Sequence, residues 1–359
     1  MAIVLPSLGS AARVLGCATD YNVLVTTKTG RTNLGELPHS QIQWGRVQDD
    51  TSQATITVPT SGSQECCDLL SRMRTWGCEL HLYRDGEEVW SGPLVTGTHA
   101  SAGAVLVARD VLAWSDKRGN RTAVDYSTAA DDLAEIGRAA ILAGFPLDDP
   151  NILKYLVVRE TGISGQRSYA AMGQYVGDIL RDLAGSGLDV TVLGRSIILS
   201  GEGSLGTTAR LTEEHFLVEL QVVEDGLSAA TNATVIGQGV VGTGGTAGPY
   251  GQLDYIVSES NILDQPSADA AAALLAAEGW PTPLYVTVPD GARLAPDAPV
   301  TISDLVPGVY IPTTVANTCR PVSTTMRLTK LDVTHTSDAG ESVAITTVPT
   351  ATEGLGGDS

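Results

Sequence analysis

The chain has 359 residues, with 22 Lys+Arg against 41 Asp+Glu for a formal net charge of −19, and is 43% apolar, 18% charged and 5% aromatic. Its 39 Gly and 17 Pro suit a folded chain rich in turns and exclude a collagen-like or low-complexity one. Such acidity repels nucleic-acid phosphates and anionic membrane surfaces unless a basic patch intervenes, and no run of Lys/Arg exceeds two, so sequence-specific nucleic-acid binding is not expected.

At about 100–200 residues per domain, two or three domains are expected. No stretch approaches the roughly 18 consecutive apolar residues of a membrane span, and Met1 to Ala12 has no basic start and carries Pro6, unlike a secretory leader. Cys17, Cys66, Cys67, Cys78 and Cys319 are odd in number and scattered, which predicts buried structural thiols in a reducing compartment rather than a disulfide framework. Only Lys28, Lys117, Lys154 and Lys330 represent lysine among the basic residues, in keeping with a GC-rich genome.

Residues 1–115 are expected to form an N-terminal β-barrel-like domain. Strands are predicted over Asn22 to Thr27, around Ile42, Trp44 and Val47, and over Ala54 to Val58. Ser63 to Thr75 reads as a short helix capped by Ser61 or Ser63, with Cys67, Leu69, Leu70 and Met73 on one side. Glu79 to Tyr83 and Glu88 to Trp90 flank Asp85-Gly86, the pair that supplies the positive φ of a tight hairpin, and Ala104 to Arg109 completes a meander.

Residues 116–205 change period and are expected to be an α+β middle domain. Leu133, Ile136, Ala140 and Ile141 recur at helical spacing, with Thr128 as cap, Asp131 and Asp132 in the first turn, and Gly144 and Pro146 as the stop. A second helix is predicted over Tyr169 to Ala184, with Met172, Val176, Ile179, Leu180 and Leu183 on its buried face and Gly185 at its end. Leu188 to Leu193 and Ser196 to Ser200 form a hairpin about Gly194-Arg195.

Residues 206–350 return to strands as a C-terminal barrel-like domain with one helix, and residues 351–359 are expected to be a disordered tail. The strands are placed over Phe216 to Val223, Thr231 to Ile236, Leu284 to Val288, Ala298 to Ser303, Thr324 to Thr334 and Ser342 to Val348; the helix runs from Ser267, its cap, to Glu278. The fold class is thus mainly β with an α+β middle: two tube-like β-barrel domains and a mixed insertion domain.

The chemical motifs fail on context. Gly237-Gln238-Gly239-Val240-Val241-Gly242 has the spacing of a dinucleotide fingerprint, but the Thr/Gly-rich residues after it cannot open the helix that would face a pyrophosphate, so a flexible surface loop is expected there. No Gly-x-Ser-x-Gly elbow or Ser-x-x-Lys pair occurs. Cys66-Cys67 with His81 or His99 makes at most a weak Cys–His candidate. His39, His81, His99, His215 and His335 lack ligand spacing, and Glu213-Glu214-His215 reads as a solvated turn. Asp49-Asp50, Asp131-Asp132 and Asp148-Asp149 are adjacent acids whose side chains diverge, a poor start for paired-carboxylate catalysis. No catalytic, cofactor-binding or metal-binding residue is therefore assigned, no cofactor is expected, and the chain is not expected to be an enzyme.

One resemblance carries further. Leu82-Tyr83-Arg84-Asp85-Gly86-Glu87-Glu88-Val89-Trp90-Ser91-Gly92-Pro93-Leu94, followed by Ala108-Arg109-Asp110-Val111-Leu112-Ala113-Trp114, resembles the N-terminal part of minor tail proteins from long-tailed phages of actinobacteria. Asp254-Tyr255-Ile256-Val257-Ser258-Glu259-Ser260 and Asp304-Leu305-Val306-Pro307-Gly308 resemble the C-terminal half of the same proteins. The resemblance implies a tail-tip or baseplate hub protein of the virion, similar to the hub of contractile tails and assembled in the host cytoplasm. In such hubs two tube-like barrels per subunit let a trimer meet a hexameric tail tube, with the distal tail protein, the tape-measure protein and other tail-tip proteins as neighbours. Genomic DNA would pass transiently through the channel without sequence recognition, helped by acidic walls if the negative charge faces inwards. No membrane insertion is implied. Two alternatives stay open: a receptor-binding protein displaying Trp76, Trp90, Trp114 or Trp280 to a carbohydrate, and a cell-wall hydrolase.

Overall fold

The computed structural model of the chain describes residues 14–18, 20–30, 32–59, 63–224, 226–227, 229–245, 251–259, 262, 265–279 and 284–349. Strand outweighs helix, 44% against 17%, so the chain is mainly β. It divides into two compact units, one of Met1–Val218, Pro289–Ile311 and Arg327–Val348, the other of Glu219–Val288, Pro312–Met326 and Pro349–Ser359.

The first unit opens with β1 (Tyr21–Thr27), β2 (Asn33–Leu37), β3 (Gln41–Val47), β4 (Gln53–Pro59), α1 (Gln64–Arg72), β5 (Cys78–Arg84), β6 (Glu87–Ala100) and β7 (Gly103–Arg109). Alternation sets the faces: Ala54, Ile56 and Val58 of β4 and Ala104, Leu106 and Ala108 of β7 are buried, while the residues between them are not. The β5–β6 turn has the positive φ expected of it, 50° at Asp85 and 84° at Gly86. A register shift between Leu94 and Thr96 lets the 14-residue β6 pair first with β5 and then with β7. At that hand-over a Cβ on Gly92 would lie 1.8 Å from the Arg109 carbonyl oxygen, so only glycine fits.

These strands belong to one open sheet. From one edge it runs through Leu211–Thr212, residues 310–311, residues 327–336, then β3, β4, β7, β6, β5, β1 and β2. The two closed tubes expected from the sequence are absent among the described residues, because the terminal strands Leu211–Thr212 and β2 do not pair with each other. Both are short, two and five residues, which limits the exposed edge without closure.

Beyond β7 lie a 3-10 helix (Val111–Lys117), α2 (Leu133–Gly144) and α3 (Val176–Ala184), with the hairpin Asp189–Leu193/Ser196–Ser200 and the strand Leu156–Val158 parallel to its second arm. Leu133, Ile136, Ile141, Ile179, Leu180, Leu183, Leu188 and Leu199 share one buried cluster there. The cap of α2 is Asp132, not Thr128: its carboxylate accepts from Ala134 N at 2.9 Å and also from the Thr161 and Gly162 amides. Burial raises the Asp132 pKa, but these hydrogen bonds outweigh it and hold the carboxyl below its usual range. The second helix starts at Val176 rather than Tyr169. The buried Asn120 amide takes the Ala170 carbonyl at 2.7 Å, and Met172 has φ 56°, so a tertiary contact displaces the first turns. Of the adjacent thiols in α1, Cys66 is buried and Cys67 exposed, the reverse of the expected face; Cys17 and Cys319 are exposed as well. Ser63 is the α1 cap, and Ser61 lies outside the described residues.

The predicted strand over Ala298 to Ser303 is a turn, since Asp304 draws in both the Thr301 amide and hydroxyl at 2.8 Å. The strands Val322–Thr336 and Gly340–Pro349 contain the two predicted last. Residues 351–359 lie outside the described residues.

In the second unit, Asn232–Ile236 pairs antiparallel with Val241–Gly245 and parallel with Asp254–Ser258, and α4 (Gln265–Gly279) packs on this sheet. Because the helix begins at Gln265, Ser267 lies inside its first turn rather than capping it. Gln221–Glu224 and Leu284–Thr287 form a separate antiparallel pair.

Candidate functional site

Most of the histidines and paired acids singled out in the sequence have structural partners. His81 is buried with both ring nitrogens engaged, one at 2.9 Å from Thr26 Oγ1 and the other at 2.9 Å from Glu88, so neither is free to activate a thiol. The Thr212 amide donates to His215 Nδ1 at 3.0 Å, closing the 3-10 turn Glu213–His215. His335 stacks on Tyr21 at 4.8 Å with His39 at 6.0 Å, and burial, reinforced by His335, lowers the His39 pKa. No three potential ligands converge on a metal position among the described residues.

The paired acids diverge as adjacent residues must. Asp49 accepts from the Val190 amide at 2.8 Å, while Asp50 faces Arg181 at 3.3 Å. Asp148 accepts from Leu153 N at 2.7 Å, whereas Asp149 pairs with Lys28 at 2.8 Å. Burial pushes the Asp49 carboxyl up to about 6.

The glycine fingerprint is a hairpin, not the expected loop. Gly237 to Val240 turn the chain back, with the Gly237 amide donating to the Val240 carbonyl at 2.9 Å, and Gly242 and Gly244 face α4 so closely that a Cβ would lie 2.1 Å from the Ala268 carbonyl oxygen or 2.4 Å from Ala273 N. Glycine recurs there so that Ala268, Ala272 and Ala276 bring the helix backbone onto the strand. Thr246 to Tyr250 lie outside the described residues.

Nor are the tryptophans displayed. Trp90 donates to Ser52 Oγ at 3.2 Å, Trp44 to the Tyr21 hydroxyl at 3.3 Å, and the buried Trp114 packs edge-on against Trp76 at 4.8 Å; Trp280 lies outside the described residues. Fully buried Arg46 crosses between elements, donating to the carbonyls of Ile302, Leu305 and Val89 at 2.8, 3.1 and 2.9 Å, and burial depresses its pKa to about 10. Arg195 similarly pairs with the buried Glu79 and donates to Pro150 O at 2.9 Å. These contacts tie elements distant in sequence together within the first unit.

No known protein family matches the sequence, and no curated protein does. Solved structures do match in three dimensions. A tail protein from Neisseria meningitidis aligns with a TM-score of 0.57 at 13% identity, over 92% of this chain and 96% of its own. This chain has the fold of phage tail proteins. The 43 kDa tail protein of prophage MuSo2 from Shewanella oneidensis aligns with a TM-score of 0.58 at 13% identity, over 91% of this chain and 97% of its own. A prophage tail protein from Listeria monocytogenes gives 0.54 at 10% identity, over 90% and 94%.

What the motif search missed is a surface. Two depressions in the first unit share Arg118 and Arg121, one bordered by Leu147 and the other by Met172 and Tyr175. Helical periodicity placed Met172 on a buried face; the structure leaves it 71% exposed.

Proposed function

We propose that this chain is a structural hub subunit of a phage tail tip, joining the tail tube to the tip and surrounding the channel through which DNA leaves. Three copies form the ring, with the distal tail protein, the tape-measure protein and other tail-tip proteins as neighbours, in the virion of a long-tailed phage of actinobacteria. The observation that carries this reading is the likeness in fold to tail proteins over nine-tenths of the chain and almost the whole of theirs. The resemblance of the β5–β6 hairpin to minor tail proteins supports the same reading. So does the engagement of the tested His and Asp side chains in capping and pairing, which supports a non-catalytic role. An acidic channel wall would let phosphates slide without adhering, and a net charge of −19 is in keeping with such a wall if the acidic excess faces inwards.

The test combines native mass spectrometry of the purified protein with two-dimensional averages of its particles and gold labelling of purified virions. A three-copy mass, rings with a central opening and label at the tail tip are expected. A species that stays monomeric at all concentrations, together with label absent from the tail tip, would overturn the proposal. Trp90 and Trp114, which the receptor-binding alternative needs on the surface, are buried.

A further inference from the structure

The end of the 3-10 helix Val111–Lys117 and the loop before α3 line an open-sided cleft of about 560 Å³, and a smaller depression lined by the loop after α2 adjoins it through the shared Arg118 and Arg121. Arg118 is fixed in its floor, 5.4 Å from the Phe145 ring centre and donating to the Asp149 carbonyl at 2.8 Å. Lys117 and Arg121 on its rim are exposed, and neither has an ion-pair partner among the described residues. Two neighbouring cations outside any ion pair among the described residues are out of keeping with a chain in which 41 acidic residues face 22 basic ones.

The apolar rim is equally out of place in water. Leu147 is 88% exposed, Met172 71% and Tyr175 53%. A single exposed apolar side chain needs no explanation; three around two adjoining depressions do. Met172 is held outward at φ 56°, a costly conformation for a residue with a Cβ. What maintains it is the buried Asn120, whose carbonyl accepts from Met172 N at 2.7 Å while its amide donates to Ala170 O. The strain is therefore imposed by the fold and keeps a flexible, polarizable side chain on display, a residue type suited to adaptable binding surfaces.

We propose that this cleft docks an extended segment of another polypeptide that carries carboxylates beside bulky apolar side chains. Its carboxylates meet Lys117 and Arg121, and its apolar groups cover Leu147, Met172 and Tyr175. Met, Tyr and Arg are the residues that interface centres favour. A nucleic acid fits less well, because a long polyanion would run on past Lys117 and Arg121 over the acidic remainder of the chain, whereas a short acidic segment need not. The inference stands apart from the trimeric hub, since every residue in it belongs to one unit of one chain.

The test uses the full chain and fluorescence anisotropy at physiological salt. The probe is a fluorescein-labelled peptide of repeated Glu-Leu-Ser; the controls are a Lys-Leu-Ser peptide and a single-stranded oligonucleotide of equal negative charge. Saturable binding of the acidic peptide alone is expected. Lys117→Glu/Arg121→Glu should weaken it by about tenfold or more, and Met172→Ser by about threefold, with the thermal midpoint unchanged. The proposal is overturned if the acidic peptide does not bind or binds the charge-reversed variant equally well. Tighter binding of the oligonucleotide overturns it in favour of a nucleic-acid groove. Self-association in light scattering that disappears on charge reversal overturns it in favour of a second copy.

Discussion

Arg84 and Glu341 offer the sharpest test of how the first unit is held together. Arg84 ends β5, and Glu341 stands in the strand Gly340–Pro349, far along the sequence. The guanidinium grips the carboxylate from two sides, Nε to Oε1 at 2.9 Å and Nη2 to Oε2 at 2.7 Å. Ala18 N at 3.0 Å and the Tyr21 hydroxyl at 2.6 Å complete the shell around a side chain only 1% exposed. Replacing Arg84 by Met keeps the stem and strands the charge, which should cost about 3–5 kcal/mol. At roughly 2–4 °C per kcal/mol for a unit of this size, the thermal midpoint falls by roughly 6–20 °C. Glu341→Gln on top of Arg84→Met removes the stranded charge and keeps an acceptor for Tyr21 and Ala18, so the double variant should be more stable than Arg84→Met alone.

Acid gives an independent check on the same pair. Burial raises the Glu341 pKa, but hydrogen bonds from Arg84 and Tyr21 with the Arg84 charge outweigh it and hold the carboxyl below its ordinary 4.5. A carboxyl depressed in the folded state contributes stability above its unfolded pKa and loses it as pH falls through the folded one. The gap between wild type and Arg84→Met, read by urea unfolding, should therefore be greatest at neutral pH and close as pH falls, first because burial raises the stranded carboxyl of the variant above 4.5 and finally as the wild-type carboxyl is protonated below it. An Arg84→Met cost under about 1 kcal/mol, a gap independent of pH, or strict additivity in the double variant would refute the argument.

In the second unit, Gly242→Val drives a side chain into the Ala268 carbonyl, 2.1 Å from where a Cβ would stand. Hydrogen exchange should then quicken across residues 265–279 while α2 keeps its protection; unchanged exchange in α4 would show that the glycine is not there for close approach. At Asp49 the pH sign is opposite to that at Glu341. Burial raises its pKa from 3.8 to about 6, so the folded state binds the proton more tightly and this group's contribution falls as pH rises across that window. Asp49→Asn keeps the acceptor for Val190 N and tolerates the positive φ of 61°, so it should flatten the stability profile between those values. A profile as steep as wild type would remove Asp49 as its source.

Much of this chain was legible locally. The β5–β6 hairpin follows from Asp85-Gly86, β4 and β7 from strict alternation, and the core of α2 from Leu133, Ile136, Ala140 and Ile141, because turn chemistry and side-chain period act over a few neighbouring residues. The mainly β fold class and the likeness to tail proteins were legible for the same reason. What tertiary structure alone decided involves partners distant in sequence. Asn120 takes the Ala170 carbonyl and cancels the first turns of a helix that periodicity predicts from Tyr169, which turns Met172 outward. The glycines at 242 and 244 read as part of a flexible surface loop until α4 is seen against them. The openness of the sheet depends on whether Leu211–Thr212 and β2 meet, a pairing no local pattern encodes. The cleft around Arg118 and Arg121 depends likewise on loops from three elements converging, because its charges and apolar groups form no motif until the fold places them side by side.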